Sequence, residues 1–141
     1  MRRPTRPSTA ASRSRPRSAH RALRIRIKRI YDPAQRLDGF RVLVDRLWPR
    51  GIRKQDSGIC AWAKDLAPST QLRVWFHQNP QRWPEFVRRY RRELAEQSSG
   101  LEALRKRART RPVTLLYAAR DPQRNHALVL KSALEKEDSG T

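Results

Sequence analysis

Acidic side chains are scarce in this chain. Thirteen aspartates and glutamates face 33 lysines and arginines, so 141 residues carry a formal charge of +20. A body so short of acid is not expected to bind cations or basic partners; it points to anions such as nucleic acid, phosphate esters or acidic surfaces. The same excess also fits a plain compositional preference for arginine. Cysteine is nearly absent as well. Cys60 is alone, which excludes an internal disulfide. With no histidines or further cysteines at ligand spacing, it also argues against a zinc site, and the expected role of Cys60 is a small buried filler. No apolar run approaches the roughly 18–20 residues that span a bilayer, so no membrane association is expected. Glycine-rich phosphate loops, the dinucleotide-binding turn and the serine nucleophile elbow are all missing. No cofactor is therefore implied.

The charge that is present is unevenly placed. Residues 1–24 hold eight arginines and no acid, and the 25 bases and 13 acids that follow leave +12 on the remainder. Up to Ala22 there is no large aliphatic residue after Met1. Such a segment cannot bury enough apolar surface to offset its ordering entropy. The chain is thus expected to divide into a disordered basic tail over residues 1–22 and a single domain over 23–141. The tail has the arginine and serine content of an organelle transit peptide but lacks an apolar face. It also has the composition of a nucleic-acid-binding arm. An upstream extension without function, or a start site placed too early, is the preferred reading.

Within the domain, Ile25 to Ile30 begins as an alternating strand and stops at Asp32-Pro33. Asp38-Gly39 marks a turn. Arg41 to Asp45 forms the next strand; its centre, Val42-Leu43-Val44, does not alternate, as expected of a strand covered on both faces. Ala61, Trp62 and Leu66 suggest a short helical face. Ser69 or Thr70 would cap a helix over Gln71 to His77. Asn79 and Pro80 would open a further helix, whose apolar face is Trp83, Phe86, Val87, Tyr90 and Leu94; Gly100 would end it. Its arginines 88, 89, 91 and 92 have Glu85, Glu93 and Glu96 within pairing distance along the helix. Leu101 to Arg109 forms a shorter helix, Val113 to Ala119 a third strand, and Asp121-Pro122 the start of a last helix with Asp121 as cap. Helices between apolar strands imply an α/β fold: a small, mainly parallel sheet with helices packed on it.

In such sheets ligands bind beyond the carboxyl ends of the strands. Two strands end in charged loops, one into Asp45, Arg46, Trp48 and Arg50, the other into Tyr117, Arg120, Asn125 and His126. Parallel strands would bring both loops to one edge. Arg46, Arg50 and Arg120 are then candidate donors to a carboxylate or phosphate, with Trp48 and Tyr117 to stack on a ring and Asn125 as a further polar contact. Asp45 and His126 are the candidate catalytic groups, since imidazole suits proton transfer near neutrality. Each also has a structural alternative: Arg46 holding its loop, Trp48 plugging the core, Asp121 and His126 serving the helix. His77 and His20 are assigned no role.

The blocks Arg41-Val42-Leu43-Val44-Asp45-Arg46-Leu47-Trp48-Pro49-Arg50-Gly51, Trp62-Ala63-Lys64-Asp65-Leu66-Ala67-Pro68-Ser69-Thr70, Trp75-Phe76, Thr114-Leu115-Leu116-Tyr117-Ala118-Ala119 and Asn125-His126-Ala127 resemble, in order, the YeaO-like family. This is a bacterial family of small proteins built on a domain of unknown function. The resemblance runs from about Ile25 to Glu137 and leaves out the basic tail. It implies a compact α/β domain in a bacterial cytoplasm and no established reaction. A methyltransferase-like label sometimes attached to the family finds no glycine-rich loop here. Three functions follow as expectations: a domain that binds or acts on a small anionic molecule, a nucleic-acid binder using the tail and the arginine-rich helix, or a regulatory partner without pocket chemistry. The first is preferred, and it leaves open whether the protein is an enzyme.

Overall fold

In the computed structural model, which describes residues 23–56 and 58–139, the non-alternating run at 42–44 is sealed from water on both sides. It belongs to a sheet of four parallel strands: β1 (Ile25–Arg29), β2 (Phe40–Leu43), β3 (Ala61–Trp62) and β4 (Val113–Tyr117), in the order β1-β4-β2-β3. β1 pairs with β4 from Ile25 opposite Val113, β4 with β2 from Val113 opposite Phe40, and β2 with β3 from Val42 opposite Ala61. The α/β expectation holds. The expected basic tail over residues 1–22 lies outside the described residues.

Successive side chains of a strand point to opposite faces, and here the two faces are covered differently. Val42, Val44, Val113, Leu115 and Tyr117 pack with four helices: α1 (Thr70–Gln78), α2 (Trp83–Leu94), α3 (Ser98–Ala108) and α4 (His126–Ser139). Leu43 and Leu116 point the other way and meet Ile30, Trp48, Ile52, Ile59 and Trp62, a second core whose cover is the loop between β2 and β3. The helical layer is anchored by α2. Its Phe86, Tyr90 and Leu94 recur every four residues and are buried, each contributing about 1.5–3 kcal/mol of apolar burial. Burial also pushes the Tyr90 phenol well above its ordinary value of 10.0, so it stays a neutral donor, 2.5 Å from the Leu66 carbonyl oxygen.

Several local boundaries differ from the sequence expectation, each because a polar side chain bonds elsewhere. Asn79 ends α1 instead of opening α2: its amide donates to the Trp75 carbonyl and its N–H to the Phe76 carbonyl. Pro84, in the first turn, opens α2. Asp121 caps no helix. Its Oδ1 accepts from the Gln123 and Arg124 N–H groups in a local turn; Asn125 caps α4 by accepting from the Leu128 N–H. Gly100 lies inside α3, where a Cβ would sit 3.1 Å from Leu66 Cδ2, so glycine lets that turn approach. Ala61 and Trp62 form an edge strand, because their backbone pairs with β2; Lys64–Leu66 is then a single 3-10 turn. Cys60, expected to be buried, is exposed. The Ser69 cap stands, accepting from the Leu72 N–H.

Of the α2 arginines, Arg88 and Arg89 pair with Glu85, and Arg89 also lies 4.3 Å over the Trp75 ring. Glu93 turns inward to the Ser69 N–H and hydroxyl, tying α2 to the start of α1. Among the described residues, no helix is long and apolar enough to cross a membrane.

Candidate functional site

Since all strands are parallel, β2 and β4 deliver their exits to one edge of the sheet. Asp45, two residues past β2, reaches across that edge. Its Oδ2 accepts from the Ala118 N–H at 3.0 Å, and its main-chain oxygen accepts from the Trp62 indole N–H at 2.7 Å. Its Oδ1 lies 2.9 Å from His126 Nε2 at the start of α4. That same nitrogen is 3.0 Å from the Val44 carbonyl oxygen. A nitrogen flanked by a carboxylate and a carbonyl must carry the proton, or three lone pairs would face one another. The ring is therefore protonated at Nε2, and Nδ1 is its basic nitrogen. One N–H cannot serve both oxygens well. Directed at Val44, it leaves Asp45 Oδ1 within ion-pair distance but without a hydrogen bond, the one such buried side-chain atom among the described residues. The Tyr90 ring packs edge-on against His126 with centroids 6.3 Å apart.

Asp45 thus joins the exits of β2 and β4 to the first residue of α4. Asp45→Ala leaves the Ala118 N–H without its acceptor. We expect a loss of about 1–3 kcal/mol in urea denaturation, with the largest amide shift changes at Ala118 and His126.

Above this clasp lies a cleft of about 350 Å³ lined by Asp45, Arg46, Leu47, Pro68, Arg73, Phe76, His77, Phe86, Ala118, Ala119, Arg124, Asn125 and His126. Its floor is Pro68, Phe86 and Asn125, all buried; Leu47, Arg73, His77, Ala119 and Arg124 are exposed around its mouth. Four residues expected at the site, Asp45, Arg46, Asn125 and His126, come together here. Arg46 is partly committed: its Nε donates to the Pro68 carbonyl at 3.0 Å and Nη2 is 3.4 Å from that of Ala67, which fixes the segment leading into α1. Asn125 spends its side chain on the α4 cap and on the Asp121 carbonyl.

The other four expected residues are placed elsewhere. Trp48 donates to the Ile52 carbonyl at 2.6 Å and packs edge-on against Trp62, on the loop-covered face. Arg50 is exposed, and its carbonyl accepts from the Tyr31 hydroxyl. Tyr117 is buried in the helical core, where burial raises its phenol above 10.0. Arg120 is exposed and does not line the cleft.

In their place the mouth holds Arg73 and His77 from α1 and Arg124 from the turn before α4. The signal for the first two was present: Arg73, Phe76 and His77 stand at i, i+3 and i+4, one face of a helix. Nothing in the sequence aimed that face at the strand ends, because α1 is positioned by Arg46 and Glu93, which lie far from it in the chain. Among the described residues no group of three or more His, Cys, Asp or Glu side chains is placed to hold a metal.

The chain matches the family described as the inactive DUF488-N3 subclade over residues 24–140. It is 46% identical over 108 residues to the uncharacterized protein YeaO of Escherichia coli (strain K12), covering 77% of this chain and 94% of that protein. It is also 46% identical over 114 residues to the uncharacterized proteins Mb3100c of Mycobacterium bovis and Rv3073c of Mycobacterium tuberculosis, covering 81% of this chain and 96% of each. No solved structure gives a significant match. With the family match spanning nearly the whole domain and relatives 46% identical over almost their full length, the chain belongs to the YeaO-like proteins of the inactive DUF488-N3 subclade.

Proposed function

We propose that the protein binds a small anionic ligand in the cleft at the strand ends, held at the mouth by Arg73, Arg124 and His77. The observation that carries this is the charge of the lining: three arginines against a single acid, Asp45, whose Oδ2 is engaged by the Ala118 N–H. Guanidinium groups from two separate elements favour a carboxylate or phosphate over a diffuse negative surface. The α4 N-terminus opens at the same wall and adds a weak positive end. Asp45 and His126 form the inner wall, and Nδ1 of His126 is the nitrogen there able to accept a proton. The subclade description, inactive, supports binding without turnover as the reading.

Amide NMR titration with methyl phosphate tests it. Shifts are expected at Arg73, His77, Arg124 and His126. The double variant Arg73→Gln/Arg124→Gln is expected to weaken binding at least about a hundredfold, since a hydrogen bond to a charged group contributes roughly 1.5–3 kcal/mol. Both side chains are exposed, so the melting temperature should stay near that of the parent. Shifts spread along the arginines of α2 instead would mean unspecific attraction by surface charge and would overturn the proposal.

A further inference from the structure

The cleft is not uniformly cationic, and the way its polar and apolar walls are sorted narrows the ligand. Its interior is aromatic. Phe76 and Phe86 stack with centroids 4.4 Å apart and planes 26° apart, and Pro68 lies beside them on the floor. The rim carries Leu47, which is 58% exposed; among the described residues only Leu37 is a more exposed large apolar side chain. A leucine in that position buries little of itself in the fold. It offers apolar contact to something that enters.

The interior also disfavours charge. An anion placed deep would lie beside the Asp45 carboxylate, the one acid in the lining. Two nitrogens of Arg46, the least exposed arginine of the lining, are turned toward the Ala67 and Pro68 carbonyls. The exposed cations, Arg73 and Arg124, stand at the mouth beside His77. Charge is thus favoured outside and apolar surface inside. A volume of about 350 Å³ lies at the small end of ligand pockets, enough for one ring and its substituent and too small for a polymer segment.

Building on the anion-binding proposal above, we infer that the ligand class is an amphiphilic aromatic anion: a flat ring carrying a phosphate or carboxylate. The ring lies inward against Phe76, Phe86 and Leu47. The anionic group lies outward between Arg73 and Arg124.

Calorimetric or NMR titration of the full chain with two matched pairs tests the inference: phenyl phosphate against methyl phosphate, and benzoate against acetate. The ring-bearing member of each pair is expected to bind at least about tenfold tighter, from the apolar area it removes from water. Leu47→Asn, at a solvent-exposed position, is expected to shrink that ratio several-fold. Phe76→Ala is expected to shrink it further. Equal binding within each pair, with shifts still at Arg73 and Arg124, overturns the aromatic inference and leaves the anion site standing. No binding by any of the four overturns both. Benzyl alcohol binding as tightly as phenyl phosphate would show that charge plays no part and overturns both as well.

Discussion

Gly39→Ala is expected to destabilise the protein by roughly 3–5 kcal/mol, in the range reserved for substitutions with a single identifiable steric cause. Gly39 sits at φ +67° and ψ −129° between β1 and β2, a conformation nearly closed to residues with a Cβ. The space is closed too. A Cβ there would stand 2.3 Å from the Pro112 carbonyl oxygen and 3.0 Å from Pro112 Cβ. The oxygen cannot move aside freely, because it accepts the Phe40 N–H that starts the pairing of β2 with β4. Relief of the clash therefore disturbs the register of the central strands. Urea denaturation at neutral pH measures the loss. A change below about 1 kcal/mol would show that the turn rearranges cheaply and would contradict this account.

Asp38→Ala is expected to cost a similar amount, about 3–5 kcal/mol, by a different route. The carboxylate is 1% exposed and collects three donors: Lys28 Nζ at 3.0 Å, Arg41 Nη1 at 2.6 Å and the Gln35 N–H at 3.1 Å. Its carbonyl accepts from the buried Thr114 hydroxyl at 2.7 Å, so the turn is bound to the central strand. Removing the carboxylate takes away the buried acceptor that Lys28 and Arg41, each largely buried, share. Acid should reproduce part of the effect. Burial alone would raise the Asp38 carboxyl, but the Gln35 N–H, Lys28 and Arg41 outweigh it and hold it below its ordinary value of 3.8. The folded chain therefore binds this proton less readily than the unfolded chain. The stabilisation is fully present above pH 3.8 and is lost as the pH falls through the lower folded-state value. Stability measured from pH 6 downward should fall more steeply for the parent than for Asp38→Ala in that acid window. Parallel slopes would mean that Asp38 is not the group responsible.

Much of this architecture could be read from the chain because burial leaves a local pattern. The run Val42-Leu43-Val44 announced a strand with two covered faces, and Phe86, Tyr90 and Leu94 announced the buried stripe of α2. The parallel arrangement followed from helices between strands, and it carried the one long-range prediction about the site: that the loop after β2 meets the start of α4. Asp45 and His126, 2.9 Å apart, are its outcome. What escaped were features decided by a choice between neighbouring partners. Asn79 can cap on either side, and only the Trp75 carbonyl at 2.9 Å settles which. Trp48 and Arg50 sit in the most distinctive block of the sequence, yet one covers the second core and the other faces water. Arg73 and Arg124 look like two surface arginines among many. Their placement at one cleft depends on contacts made by Arg46 and Asp121, each of which has several plausible partners in the sequence.

The order of strands in the sheet also bears on how the chain acquires its structure during synthesis. β4 lies between β1 and β2, so the first two strands to leave the ribosome have no hydrogen-bond partner in each other. β1 must wait for residues 113–117, and until then β2 can pair only with the two-residue β3. By then the stretches that will become α1, α2 and α3 have already emerged, with the apolar stripe of α2 seeking cover. Pairings that span so many residues close slowly. The nascent protein therefore gains its central layer only after α1, α2 and α3 have emerged, and α4, which carries His126, is the last wall of the cleft to arrive.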